Sequence, residues 1–225
     1  MYTKYPRTPH VPWSPGISSD DIRANQSSLS ELLSRGSVVI TEKMDGESTT
    51  MYRDHIHARS IDSAHHQSRS RVKQIHSEIC HLIPEGWRVC GENMQAEHSI
   101  HYEQLLDWFL VFSIWTAENH CLDWGNTLDW IELLGLRPVP ILFQGDIDLN
   151  YLQEMHGSLD LSKQEGFVIR SYQSFDFAAF SKNVFKWVRR DHVETDQHWM
   201  NAPMVENAVI QLPKTIGFRS GNEAG

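Results

Sequence analysis

The segment Ser37 to Lys43, SVVITEK, is β-branched, ends in a lysine and runs straight into Met44-Asp45-Gly46. Such runs suit a pleated, half-buried surface and Asp-Gly interrupts them with a turn, so this stretch is committed to a strand that leaves a lysine at its end. Strand signals return at Ser48 to Arg59, where Asp54-His55 turns the chain back on itself, and at Trp87 to Glu92, Trp108 to Trp115, Val139 to Phe143, Gly166 to Ser171 and Val184 to Val188. Helical patterns lie among them. Ser28-Leu-Ser-Glu31 reads as a capping box opening a first helix, with Leu29, Leu32 and Leu33 at helical spacing and Gly36 at its stop. Val72, Ile75, Ile79 and Leu82 predict a helix within Arg69 to Ile83, and Thr127 to Leu134 and Leu149 to Met155 predict two shorter ones. Strands mixed with helices and no internal repeat predict an α+β or α/β layer pattern, a mixed sheet with flanking helices.

Composition narrows the function classes. With 225 residues, 40% hydrophobic and 22% charged, the chain fits one large α/β domain, or one catalytic domain with a small appendage. Its longest apolar run, Trp108 to Trp115, is far short of the ~20 residues of a membrane-spanning helix. The N-terminal MYTKYPRTPHVPWSPG places charges and prolines where a signal peptide is apolar, so a cytoplasmic location is expected. Cys80, Cys90 and Cys121 lack CxxC spacing, which fits reduced thiols. The histidines, including His65-His66, His98 with His101 and His192 with His198, lack zinc-site spacing, so no zinc is expected. A net charge of -9 counts against nucleic acid as a whole-molecule partner, but Lys182 to Arg190 contains basic residues and no acidic one, enough for a local positive face.

Several strands carry charged or aromatic residues at chemically useful places. Lys43 ends the first; Gly91-Glu92-Asn93 ends another; Phe112 lies in Leu110-Val111-Phe112; Glu165-Gly166 opens a strand; Lys186 sits in Phe185-Lys186-Trp187-Val188. A lysine so placed can act as a nucleophile if burial or neighbouring cations lower its pKa and populate the free amine. Each feature alone is compatible with a solvated lysine, a surface carboxylate or core packing. In this order they resemble the nucleotidyltransferase motifs of ATP-dependent ligases and mRNA capping enzymes, and the chain most resembles the ATP-dependent RNA ligase family.

The resemblance implies an α+β nucleotidyltransferase (ATP-grasp-like ligase adenylation) fold with mixed antiparallel sheets, helices on the flanks and no OB-fold domain. Residues 1–190 would form the adenylation domain and 191–225 a short C-terminal extension. It also implies roles. Lys43 attacks the α-phosphate of ATP; Asp45 and Gly46 complete its motif; Glu92 receives the ribose hydroxyls; Phe112 stacks on adenine. Glu42 meets the adenine edge. Glu165 holds a hydrated Mg²⁺, for which Mn²⁺ can substitute; Lys186 neutralises the α-phosphate, and Arg59 contacts nucleotide phosphates or the RNA 5′-phosphate.

The implied activity joins a 5′-phosphate to a 3′-hydroxyl RNA end through lysyl-adenylate and RNA-adenylate, with RNA ends and an end-healing kinase as partners and no membrane. Its alternatives are a GTP-dependent capping-type nucleotidyltransferase and a non-catalytic RNA-end-binding protein of the same fold. The chain departs from the family's pattern in the last motif. The position two residues after Lys186 is Val188, and the next cation is Arg189. A strand ending at Val188 would let Arg189 turn toward the phosphates or the RNA backbone. His192 to Met200 resembles a stretch that follows this motif in some small RNA ligases.

Overall fold

The computed structural model describes residues 1–63, 65–190 and 204–210. Helices α1 (Gln26–Ser34), α2 (Ser70–Ile79), α3 (Trp124–Leu133) and α4 (Leu149–Glu154) accompany strands β1 (Val38–Lys43), β2 (Glu47–Met51), β3 (Ile56–Ala58), β4 (Arg88–Asn93), β5 (Phe109–Trp115), β6 (His120–Cys121), β7 (Arg137–Pro138), β8 (Ile141–Gly145), β9 (Gly166–Ser171), β10 (Phe175–Asp176) and β11 (Val184–Val188). The strands form two sheets, one ordered β11-β9-β1-β8 and the other β10-β6-β5-β4-β2-β3, with β7 lying parallel to β5. All other pairings between these strands are antiparallel. Among the described residues no helix is long and apolar enough to cross a membrane.

The pleat explains the layering. Successive strand residues point to opposite faces, so Val38 and Ile40 join Leu29 and Leu32 of α1 and Leu152 of α4 in one core, whereas Val39 points the other way. Each of these leucines, fully or almost fully buried, contributes roughly 1.5–3 kcal/mol of transfer free energy. On the far side, α2 and α3 lay Val72, Ile79 and Ile131 against Met51, Val89, Phe109 and Val111. Between the sheets lie two further clusters, one around Val39, Met94 and Leu110, the other around Cys90, Trp115 and Val184. The helices thus cover the outer faces, and the inner faces meet along a partly polar seam.

Strands β9 and β11 match their expected bounds, and β11 ends at Val188 as predicted. Helix α1 does not begin where the capping box suggested. Asn25 is its cap, with Oδ1 accepting from the Ser28 N–H at 2.8 Å and from the Ser28 hydroxyl at 2.8 Å. Asn25 takes the place expected of Ser28 because its short amide reaches the Ser28 N–H, an orphan donor one turn ahead of the one Ser28 would have capped. Asp123 similarly caps α3 at Asn126, ahead of the expected start at Thr127. The strand expected over Val139 to Phe143 is displaced to Ile141–Gly145, after Pro140, and a register shift against β1 between Ile40 and Thr41 leaves Leu142 as the extra residue.

Part of the expected C-terminal extension packs into the body. Asn207 is buried, donates from Nδ2 to the carbonyls of Met94 and Ala96 at 2.8 and 3.2 Å, and accepts the Tyr102 N–H at 2.8 Å. Residues 204–210 therefore run along the loop between β4 and β5. His192 to Met200 lies outside the described residues.

Candidate active site

The seam between the sheets gathers the charged residues. Lys43 pairs with Gly166 in the β1–β9 register, which brings Glu165, one residue ahead of β9, beside the lysine. Lys43 Nζ is 2.5 Å from Glu165 Oε2. Glycine is required at 166 for this approach, since a Cβ there would fall 2.0 Å from the Trp187 carbonyl oxygen on β11. On the opposite sheet Glu92 pairs with Ser48, and the Gly46 N–H donates to its carboxylate. Gly46 itself meets β4 so closely that a Cβ would stand 2.5 Å from Asn93 O and 3.0 Å from Glu92 Cγ. The Lys-x-Asp-Gly turn thus carries the chain from one sheet to the other while keeping Lys43 and Glu92 together.

Asp45 organises the wall of the site. Its Oδ2 accepts from the Ser99 N–H at 2.8 Å, the Ser99 hydroxyl at 2.6 Å and the Ile100 N–H at 3.0 Å, and its own N–H donates to Tyr102 Oη at 3.2 Å. Next to it a pocket of about 150 Å³ is lined by Glu42, Met44, Tyr102, Leu105, Leu110 and Pro140, among others. Glu42 accepts from Gln164 Nε2 at 2.9 Å, and burial raises its pKa. Phe112 does not line this pocket. Its ring meets Tyr5 edge-on, centroids 5.0 Å apart, while the carbonyl of Phe112 receives Arg170 Nη1 at 3.4 Å.

The electrostatics correct one expectation. Burial lowers the Lys43 pKa, but the carboxylates of Glu165, Glu92 and Asp45 outweigh it, and the net shift is upward. The acidic groups around Lys43 thus favour its ammonium form, opposite to the downward shift that would populate the free amine. Glu92 in turn holds its own proton more tightly, because burial pushes its pKa up to about 8 despite the attraction of Lys43. The Glu165 pKa is raised as well, mainly by burial. Lys186, opposite Val168 on β9, lies on the same seam: burial and Lys43 lower its pKa, against the opposing pull of Asp21 and Glu165.

Lys43, Asp45, Gly46, Glu92, Glu165 and Lys186 are therefore brought together, and Glu42 borders them. Arg189 stands at the edge: its N–H donates to the Glu165 carbonyl at 2.9 Å, and its guanidinium reaches Leu161 O at 3.2 Å and Ser99 Oγ at 3.5 Å. Arg59 is exposed beyond the end of β3. An arginine that the sequence reading passed over is placed closer to the turn. Arg69 Nε donates to Glu47, the residue after Gly46, at 2.7 Å, and its Nη2 pairs with the other carboxylate oxygen. Its only sequence signal was the start of the α2 pattern. Asp21, Ser99, Tyr102 and Asn207 were likewise missed, because their partners are distant in sequence and their residue types are common in loops.

A charge-rich seam between two antiparallel sheets places the chain in a structural class. Its fold is that of ATP-dependent RNA ligases. An archaeal ATP-dependent RNA ligase superposes with a TM-score of 0.55 at 13% identity, covering 84% of this chain and 48% of that one. A Naegleria gruberi RNA ligase variant solved with ATP and Mn superposes at 0.54 with 20% identity, covering 79% and 57%, and the same ligase with pyrophosphate at 0.54 with 20% identity, covering 84% and 61%. The chain thus spans about half to three fifths of the length of these proteins. A family model described as RNA ligase matches residues 36–188, and the chain belongs to that family. No curated protein matches significantly in sequence.

Proposed function

We propose that this chain is the nucleotidyltransferase part of an ATP-dependent RNA ligase that seals a 5′-phosphate to a 3′-hydroxyl RNA end. The observation that carries the reading is the lysine at the end of β1, 2.5 Å from Glu165, with Lys186 two strands away on the same sheet and Glu92 on the sheet opposite. In this reading Lys43 gives up a proton, for which the Glu165 carboxylate 2.5 Å away is the nearest acceptor, its amine forms a P–N bond to the α-phosphorus of ATP, the bond to the pyrophosphate oxygen breaks, and pyrophosphate leaves. The oxygen of an RNA 5′-phosphate then displaces Lys43 from the adenylate, and attack by a 3′-hydroxyl releases AMP and closes the phosphodiester.

The buried carboxyl group of Glu165 fits a divalent cation, since Mg²⁺ keeps several waters and needs few direct protein ligands. Such an ion, or Mn²⁺ in its place, would offset the negative charge around Lys43 and would polarise the phosphate oxygens. Lys186 balances the negative charge that grows on the α-phosphate. Glu92 receives the ribose hydroxyls, Glu42 borders the adenine edge, and Phe112 supplies a stacking face once Tyr5 moves aside. Asp45 keeps the wall in place through Ser99 and Ile100. Arg189, with Arg59 farther out, serves the phosphates or the RNA. The substrate partners are RNA ends, prepared where necessary by an end-healing kinase, and the compartment is the cytoplasm.

Incubation with α-labelled ATP or GTP and a divalent metal, followed by mass spectrometry, tests the reading. The expected product is an adenylate on Lys43, absent from Lys43→Ala, followed by sealing of nicked or single-stranded RNA. Labelling by GTP alone would replace the ligase reading with a capping-type enzyme. An unlabelled protein that still binds RNA ends would replace it with a binding protein.

A further inference from the structure

Residues 1–35 precede the span matched by the RNA ligase family, yet one of their carboxylates enters the site. The N-terminal segment runs along the edge of β11: Lys186 N–H donates to Pro9 O at 2.9 Å, and Lys186 O accepts from Val11 N–H at 2.8 Å. His10 lies between these two bonds and is fully buried. Its backbone pairs on the other side with Ile22 O and Ala24 N–H, so residues 22–24 are stitched to β11 through His10. This arrangement delivers Asp21, whose Oδ1 stands 3.6 Å from Lys186 Nζ.

Asp21 is itself held on several sides. Its Oδ2 accepts from the Ser18 N–H at 3.1 Å and the Ser18 hydroxyl at 2.8 Å, and lies 3.3 Å from His10 Nε2. The other ring nitrogen of His10 is 2.8 Å from Ser14 Oγ, which also accepts the Val188 N–H at 3.0 Å. The buried His10 and Ser14 therefore stand between the backbone of β11 and the half-buried carboxylate facing its lysine. The charged neighbours of Lys186 are Lys43 from β1, Glu165 ahead of β9, and Asp21 beside His10 from the N-terminal segment. Lys43 lies inward of β11 across β9, whereas Asp21 is brought in beyond its outer edge, so repulsion from the one and attraction to the other both set where the Lys186 ammonium rests.

We propose that Asp21 is a positioning residue for Lys186, holding its ammonium on the seam where it meets the α-phosphate. The inference rests on the reading of Lys186 as the cation for that phosphate. It gives the N-terminal segment a part in the chemistry that the family motifs do not assign. Ser18 and His10 fix Asp21, and Asp21 fixes Lys186.

The test is single-turnover adenylate formation by Asp21→Asn, Asp21→Glu, Lys186→Gln and the double variant Asp21→Asn/Lys186→Gln, with thermal unfolding as the folding control. Asp21→Asn is expected to slow the step at saturating ATP by about tenfold or more while changing the KM for ATP by less than about threefold. Asp21→Glu should recover most of the loss, and Asp21→Asn should add nothing in the Lys186→Gln background, since residues acting through one group are not additive. A second measurement needs no activity: amine-reactive footprinting of Lys186 in the intact chain should rise in Asp21→Asn. Unchanged kinetics, a faster rate in Asp21→Asn, additive losses or an unchanged footprint each overturn the proposal. Absence of any adenylate on the wild-type protein would instead refute the ligase reading, and the footprint would then decide on its own whether Asp21 holds Lys186.

Discussion

Lys43 Nζ and Glu165 Oε2 stand 2.5 Å apart, and this contact raises the pKa of the candidate nucleophile. Glu165 is the largest of the carboxylate effects raising the Lys43 pKa, so Glu165→Gln should lower it toward the ordinary value. Amine-selective labelling of Lys43, followed by mass spectrometry across a pH series, should then begin at lower pH in Glu165→Gln than in the wild type. Coincident pH profiles would show that Glu165 does not control the proton.

Glu92 titrates in the opposite sense to an ordinary salt-bridged carboxylate. Its pKa is raised from 4.5 to about 8, so the folded state binds its proton more tightly than the unfolded state does. Its contribution to stability is full below 4.5 and declines as pH rises toward 8. Glu92→Gln should therefore raise the melting temperature at pH 8 by a few degrees, on the order of 1 kcal/mol or more, while weakening nucleotide use. The gain should disappear near pH 4; a variant less stable at pH 8 contradicts this electrostatic account.

Phe109 and Phe112 lie on the same strand but in different layers. Phe109 is fully buried against the α2 and α3 side, and Phe112 faces the seam and Tyr5. Phe109→Ala should cost about 3–5 kcal/mol in denaturant unfolding. Phe112→Ala should cost less stability and raise the KM for ATP more than any folded Phe109 variant does. Equal losses of ATP binding would make Phe112 a packing residue only.

Arg189 reaches Ser99 and Leu161 from the end of β11. Arg189→Ala should impair sealing of pre-adenylated RNA at least as much as adenylate formation, whereas Lys186→Ala should nearly stop adenylate formation. A folded Arg189→Ala protein with both steps intact would assign the second cation elsewhere.

Asn207 satisfies two carbonyls and one N–H of the loop between β4 and β5. Asn207→Ala leaves these buried groups without that partner and should cost roughly 2 kcal/mol or more, read as a lower urea midpoint at unchanged slope. A midpoint equal to that of the wild type would mean that residues 204–210 do not brace the loop.

The motif residues were legible in the sequence because strand chemistry is local. A β-branched run ended by Lys-x-Asp-Gly, a strand ending in Gly-Glu and a strand opened by Glu-Gly each declare a short element and a charged position within a few residues. The bounds of β9 and β11 followed from the same local signals. Even the helix cap at Asn25 was a local matter, a choice between two good capping residues three positions apart. Register, in contrast, joins residues far apart in the chain. Lys43 meets Glu165 because β1 and β9 are neighbours with Lys43 opposite Gly166, and no pattern around residue 43 contains that partner. The upward shift of the Lys43 pKa could not be read from its own segment, since carboxylates from the loop ahead of β9, from β4 and from Asp45 together set it. The same holds for Asp21 beside Lys186 and Asn207 within the β4–β5 loop, where polar residues become specific only when the fold removes water and leaves one partner within reach. Sequence determined which residues could do the chemistry; the tertiary pairing of two sheets decided which of them share a proton, a charge or a wall, because electrostatic and hydrogen-bond energies depend on distance in space and burial rather than on separation along the chain.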